Sequence, residues 1–300
     1  FHQYQVHLAS EQQNQVHFTK IARTEQDGEQ VGKQFASLDL DLIIISQFVY
    51  TLDEPILGFL REIRKDIPLL VLMVQGYEGI PEDLTVTDFS RSWGINGTLQ
   101  MTASIPNMVD DFDYEFLVGN PGEEKITAEI NRMAKASWAV RSIRKANLGY
   151  LPGFFRGMHD NWDNGAKLEK IFGVKLNWFT FSDLVKQFSS ISEDRINKEV
   201  DLIRSNYQVR EPQQVDPYDE ARTYLGIKKL IEEWDLSGLT ITVDPGTCNE
   251  FMEFRVLAYY AISKLLDEKF ACSDEGDMSL VIAQLLLNRI SGGHVQQWEN

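Results

Sequence analysis

The sequence predicts an α/β protein of two domains with mainly parallel sheets. Three observations carry that expectation. The apolar runs at residues 40–46 and 68–74 are solid rather than alternating, as in strands covered on both faces. Helical patterns separate the runs at the spacing of strand–crossover–strand units. After a long helical stretch, the same alternation restarts at Asn147.

Taken in order, residues 16–21 alternate and predict a strand, 27–38 a helix, 40–46 a strand, 55–65 a helix and 68–74 a strand. Residues 76–98 carry Gly, Pro, Thr and Asn and read as irregular. Residues 126–145 form a long helical pattern ending in Arg and Lys, as helix C-termini prefer. In the second cycle, 148–151 is a strand, 153–160 a loop, 165–172 a helix and 174–179 a strand. Helices follow at 182–188, 193–205 and 219–234, then a strand at 239–243, a helix at 249–268, a strand at 270–273 and a helix through Ile290. The expected division is an N-terminal domain over 1–146, a central domain over 147–291 and the start of a further domain at 292–300. Two tandem domains of this pattern are Rossmann-like or flavodoxin-like.

Composition narrows the functional classes. With 43% hydrophobic and 25% charged residues, 300 residues can bury two ordinary cores. A formal net charge of −16 opposes nucleic acid and anionic membrane surfaces, whose affinity comes from clustered Lys and Arg. No run reaches the roughly 18 to 20 apolar residues of a membrane span, so a soluble protein is expected. The two cysteines, Cys248 and Cys272, form neither a CxxC pair nor a disulfide framework, and a reducing cytoplasmic setting is expected. Phe at position 1, and an end at Asn300 directly after an apolar helical pattern, are read as cuts through a longer protein.

The nucleotide motifs usual on parallel sheets, GxGxxG and GxxxxGK followed by Ser or Thr, are absent, and Gly119, Gly122 and Lys125 read as a turn entering a helix. In such sheets ligands sit beyond the carboxyl ends of the strands. Two segments qualify. Residues 244–248, Asp-Pro-Gly-Thr-Cys, read either as a ligand turn opening a helix or as a tight turn with Cys248 as a small buried side chain. Residues 274–277, Asp-Glu-Gly-Asp, place three carboxylates at a strand end. A helix N-terminus compensates each by about 0.3 to 1 kcal/mol, which allows a structural reading with Asp274 as N-cap. A divalent ion compensates more strongly, and hard ions prefer such oxygens. His2, His7, His17 and His294 give no ligand spacing, whereas His159 falls in the loop after the first strand of the second domain.

The order of these motifs resembles the L-arabinose isomerase family and, more distantly, L-fucose isomerase. Residues 270–277, Phe-Ala-Cys-Ser-Asp-Glu-Gly-Asp, followed by an apolar helix and Gly292-Gly293, are similar to the family's Gly-Phe-Ala-Gly-Glu-Gly-Asp segment, whose Glu is a metal ligand and acid/base residue. Residues 165–185 resemble the passage into its central domain, sharing Phe-Gly-Val and Asp-Leu-Val. The resemblance implies that Glu275 and Glu299 are the catalytic and metal-binding glutamates. It implies a divalent metal cofactor, Mn²⁺ first, and further histidine ligands in a C-terminal β-rich domain missing from this chain. Substrate contacts are expected at Met158, His159, Asn96 and Cys248. Asn96 stands where the family has a histidine and Cys248 where it has an aromatic, which bears on the choice of sugar.

The expected function is therefore metal-dependent aldose–ketose isomerisation of a pentose or hexose through an enediol, by a homo-oligomer with sites between subunits. Two carboxylates move the proton between C1 and C2. The competing expectation is a non-catalytic sugar-binding or regulatory module of the same fold. Residues 1–300 alone are expected to fold but to lack isomerase activity even with added Mn²⁺.

Overall fold

The computed structural model describes residues 15–74, 82–110, 113–119, 122–152, 157–208, 216–242, 258–293 and 295, without the side chains of residues 90 and 91. The chain divides into two compact units, Phe1–Trp138 and Ala139–Asn300.

In the first unit, α1 (Glu25–Ala36) opens with a capping box in which Thr24 and Asp27 satisfy each other's backbone N–H. Strand β1 (Ile43–Ile45), α2 (Glu54–Glu62) and β2 (Leu69–Met73) follow. Helices α3 (Val86–Ser92) and α4 (Gly94–Met108) lead to β3 (Tyr114–Val118). The sheet is parallel, in the order β1-β2-β3, with Ile43 opposite Leu69 and Leu69 opposite Tyr114. All five residues of β2 are buried, as its unbroken apolar run requires. On one side lie Ile43, Phe59, Leu69, Val71 and Met101; on the other, Leu70 and Leu72 meet Ile126 and Ile130. Helices α1 and α2 cross closely enough that a Cβ at Gly28 would lie 1.9 Å from the Pro55 carbonyl oxygen.

Three expectations fail here. Residues 16–21 form no strand, because Val16, Phe18 and Ile21 are all exposed and the alternation has no buried face to serve. Residues 86–98 are helical despite their loop-like composition. Gly94 and Gly97 let α4 approach the backbone and side chain at Gln47, and such tertiary contact overrides propensity. Strand β3 is present where no strand was expected.

Helix α5 (Glu124–Ile143) straddles the division. Ile126 and Ile130 pack in the first unit, whereas Ile143 joins Leu148 and Tyr150 in the second. The boundary consequently lies within the helix, between Trp138 and Ala139.

The second unit runs β4 (Asn147–Leu151), α6 (Gly165–Phe172), β5 (Lys175–Trp178), α7 (Phe181–Phe188), α8 (Glu193–Asn206) and α9 (Pro217–Glu233). It continues with β6 (Gly238–Ile241), α10 (Tyr259–Asp267), β7 (Ala271–Asp274) and α11 (Met278–Ser291). The start expected for the helix at 249–268 lies outside the described residues. All pairings are parallel, in the order β5-β4-β6-β7, which in chain order is second, first, third, fourth. Leu151, Leu239, Ile241 and Cys272 face α7 to α10, while Leu148, Tyr150 and Ala271 face α6 and α11. The chain order reverses between β4 and β6, the kind of switch point beside which open parallel sheets bind their ligands. No described helix is long and apolar enough to cross a membrane.

Strand β7 has β6 on one side and, among the described residues, no strand on the other. Gln284, fully buried on α11, stands in: its Oε1 accepts from Cys272 N at 2.7 Å and its Nε2 donates to Cys272 O at 2.9 Å. Gln284→Leu leaves both backbone groups buried and unmet, at about 1–3 kcal/mol each. Urea unfolding should show that loss.

Glu220, on the first turn of α9, has one carboxylate oxygen buried with no hydrogen-bond partner. Burial, with a smaller contribution from Asp219, raises its carboxyl from 4.5 to about 7. The folded state holds this proton more tightly than the unfolded one, so its stabilisation is complete below 4.5 and is lost as pH rises through about 7. Glu220→Gln, which cannot ionise, should gain urea resistance over wild type between pH 5 and pH 8; an unchanged difference across that range refutes the assignment.

Candidate functional site

The carboxyl end of β7 turns sharply into α11. Asp277 N donates to the Asp274 carbonyl at 3.2 Å, closing a four-residue turn. Its central residues, Glu275 and Gly276, have φ of +59° and +84°, the left-handed pair of a type I′ turn. Gly276 adopts this freely, whereas a side chain there costs about 1–2 kcal/mol. The turn thus sets a glutamate in an unfavourable backbone conformation at the strand end.

The three acids of this turn have separate environments. Asp277, and not Asp274, is the N-cap of α11: its Oδ1 accepts from Leu280 N at 2.8 Å. Burial raises the Asp277 carboxyl above its ordinary value, and Asp163, Asp160 and Asp274 add to that against the Leu280 hydrogen bond. Asp274 is buried at the end of β7. Glu275 meets the loop that leaves β4, where Asn161 Nδ2 lies 3.4 Å from its Oε2.

That loop contains a short 3₁₀ turn, His159–Asn161. Asn161 is buried, with Nδ2 4.0 Å from Met158 Sδ, and the His159 and Trp162 rings meet edge to face at 4.5 Å. Asp163 closes the loop onto α11. Its Oδ2 accepts from Ser279 N at 2.8 Å and its Oδ1 from Ser279 Oγ at 2.7 Å. Beneath lies Tyr150, fully buried and stacked on Trp178 at 4.1 Å and 5°. Burial, then the charges of Asp163 and Asp277, push its phenol well above the usual range.

Of the residues expected at the site, Glu275, Met158 and His159 come from two loops at one edge of the second sheet, joined through Asn161. Asn96 is exposed in the first turn of α4, in the first unit. Glu299, Cys248, the rest of residues 244–248 and His294 lie outside the described residues. Sequence reasoning missed Asn161 and Asp163. Asp163 directly precedes Asn164, the N-cap of α6, and no local pattern marks its contact with α11.

Among the described residues, no three His, Cys, Asp or Glu side chains group so as to hold a metal ion. Glu275 offers a hard-oxygen donor of the kind Mn²⁺ takes, but Asp163 and Asp277 are engaged at the helix start. The residues described here supply one donor of the several such an ion needs.

Fold and site together define an open parallel α/β protein whose second sheet gathers carboxylates and an amide at its carboxyl edge. Residues 163–292 match the family model described as the L-arabinose isomerase central domain. Among curated proteins, L-arabinose isomerase of Mycolicibacterium smegmatis is 23% identical over 225 residues, covering 70% of this chain and 42% of that protein. The L-arabinose isomerase of Geobacillus kaustophilus is 21% identical over 254 residues, covering 79% and 47%. That of Escherichia fergusonii is 24% identical over 128 residues, covering 41% and 25%. This chain is thus similar to L-arabinose isomerases, most of all over their central domain, and it spans less than half the length of these relatives.

Asp163→Ala removes two hydrogen bonds from the start of α11, a loss of the order of a helix cap, about 0.5–2 kcal/mol. Amide exchange at Ser279 should accelerate while that of β4 stays slow; an unchanged Ser279 amide would show that the clamp contributes nothing.

Proposed function

We propose that this chain belongs to a sugar isomerase that interconverts an aldose and a ketose, pentose or hexose, through an enediol. The observation that carries this is Glu275. It is held in a left-handed turn at the carboxyl end of a parallel strand, against Asn161, inside the stretch that matches the L-arabinose isomerase central domain. A carboxylate fixed there can take a proton from one sugar carbon and return it at the next, provided a second group attends the oxygens.

Glu299 is proposed as that second group, on the family resemblance. The Asn161 amide orients the Glu275 carboxylate from the side of the β4 loop, and Met158 and His159 on the same loop are proposed to contact the sugar. Asn96 and Cys248 are proposed contacts on resemblance alone. A divalent ion, Mn²⁺ first, would stabilise charge developing on the substrate oxygens, with Glu275 as one of its donors. Assembly into a homo-oligomer with sites between subunits, in the cytoplasm, belongs to the same reading.

General acid/base catalysis is worth roughly 10² to 10⁴ in rate. Glu275→Gln in the full-length protein, assayed with Mn²⁺ on a panel of aldopentoses and aldohexoses, should lose turnover by a factor in that range. Wild-type turnover by the variant would remove Glu275 from the chemistry. A wild-type protein that binds sugar without converting it would instead be a binding module.

A further inference from the structure

The turn that carries Glu275 is anchored from below at both ends. Ser273 and Thr240 are register partners on β7 and β6, and both are fully buried. Their hydroxyl oxygens lie 2.8 Å apart. Ser273 Oγ donates to the Asp277 carbonyl at 2.6 Å, and Thr240 Oγ1 lies 3.2 Å from the Asp274 carbonyl. Asp274 and Asp277 are the first and last residues of the turn. Each hydroxyl has one proton, so Thr240 donating to the Asp274 carbonyl and Ser273 donating to the Asp277 carbonyl are made at once, one at each end of the turn.

A strand of this sheet needs no hydroxyl to pack. Tyr150, the register partner of Thr240 on β4, presents its ring to the core on the same side of the sheet, where packing alone calls for an apolar side chain rather than a hydroxyl. The two hydroxyls hold the carbonyls that bracket an unfavourable left-handed glutamate, and nothing in strand pairing itself demands that bracket.

We propose that Ser273 and Thr240 are positioning residues that hold Glu275 in its left-handed turn, and so fix where its carboxylate stands over the carboxyl edge of the sheet. This rests on the reading of Glu275 as an acid/base group. A hydroxyl pair that served only to satisfy buried polar groups would affect stability alone. A pair that positions Glu275 also affects the chemical step, while substrate binding through the β4 loop is left nearly intact.

The test is Ser273→Ala and Thr240→Val in the full-length protein, each removing a hydroxyl with little change of volume. Amide exchange across residues 275–277 should accelerate while β4 and β6 keep wild-type protection. With the same variants, kcat for aldose–ketose interconversion should fall about tenfold with KM within about twofold, as a displaced catalytic group produces. Unchanged exchange overturns the proposal, and so does faster exchange with wild-type kcat. If Ser273→Ala does not fold, Thr240→Val alone decides. Glu275→Gln measured alongside keeps the two questions apart. If it is inactive while the hydroxyl variants match wild type, only the positioning role fails. If it turns over normally, or the wild type does not turn over at all, the reading of Glu275 fails and the positioning role falls with it.

Discussion

Parallel pairing of β4 with both β5 and β6, and of β6 with β7, brings the carboxyl ends of all four strands to one edge of the second sheet. Strands β4, β6 and β7 are largely buried and carry Thr240, Ser273 and Asp274 as buried polar groups, while β5 is partly exposed. The loops that follow β4 and β7 add Asn161, Asp163, Glu275 and Asp277 at the same edge. The loop after β4 and the turn after β7 lie at the same edge because all four strands run parallel. Asn161 and Asp163 then fasten one loop to the other.

Gathering Asp160, Asp163, Asp274, Glu275 and Asp277 in one place is an electrostatic problem. The structure distributes it. The unpaired N–H groups at the start of α11 take up Asp163 and Asp277, so that two of the charges are offset by a helix end. Burial first, and the neighbouring carboxylates after it, raise the carboxyl of Asp277 and the phenol of Tyr150 beneath it. Glu275 stands apart from the cap of α11, tied to an amide that carries no charge.

Most of the second unit was legible in the sequence. Residues 165–172 form the helix their pattern predicts, with Asn164 capping one end and left-handed Gly173 closing the other. In the first unit, β1 and β2 were legible as solid apolar runs, and β2 is buried along its whole length. What escaped was set by contacts distant in sequence. The alternation at residues 16–21 is a local pattern with no face to bury, and α4 is helical because glycines let it approach residue 47. At the site, the Asp-Glu-Gly-Asp run showed three acids but not their division of labour. Which one caps the helix depends on a turn closed between Asp274 and Asp277, and Asn161 is brought to Glu275 only by the order of the strands.

Gln284 has a consequence beyond its two hydrogen bonds. An outer strand offers its free N–H and C=O groups to any extended chain that drifts alongside, and this is how folded sheets are drawn into intermolecular stacks. At Cys272 both groups already face an amide that behaves as one rung of a neighbouring strand. Because the rung belongs to a helix packed on the sheet, it cannot be extended by a further residue on either side. An incoming chain meets a ladder interrupted in the middle of a four-residue strand, too short on either flank to template growth.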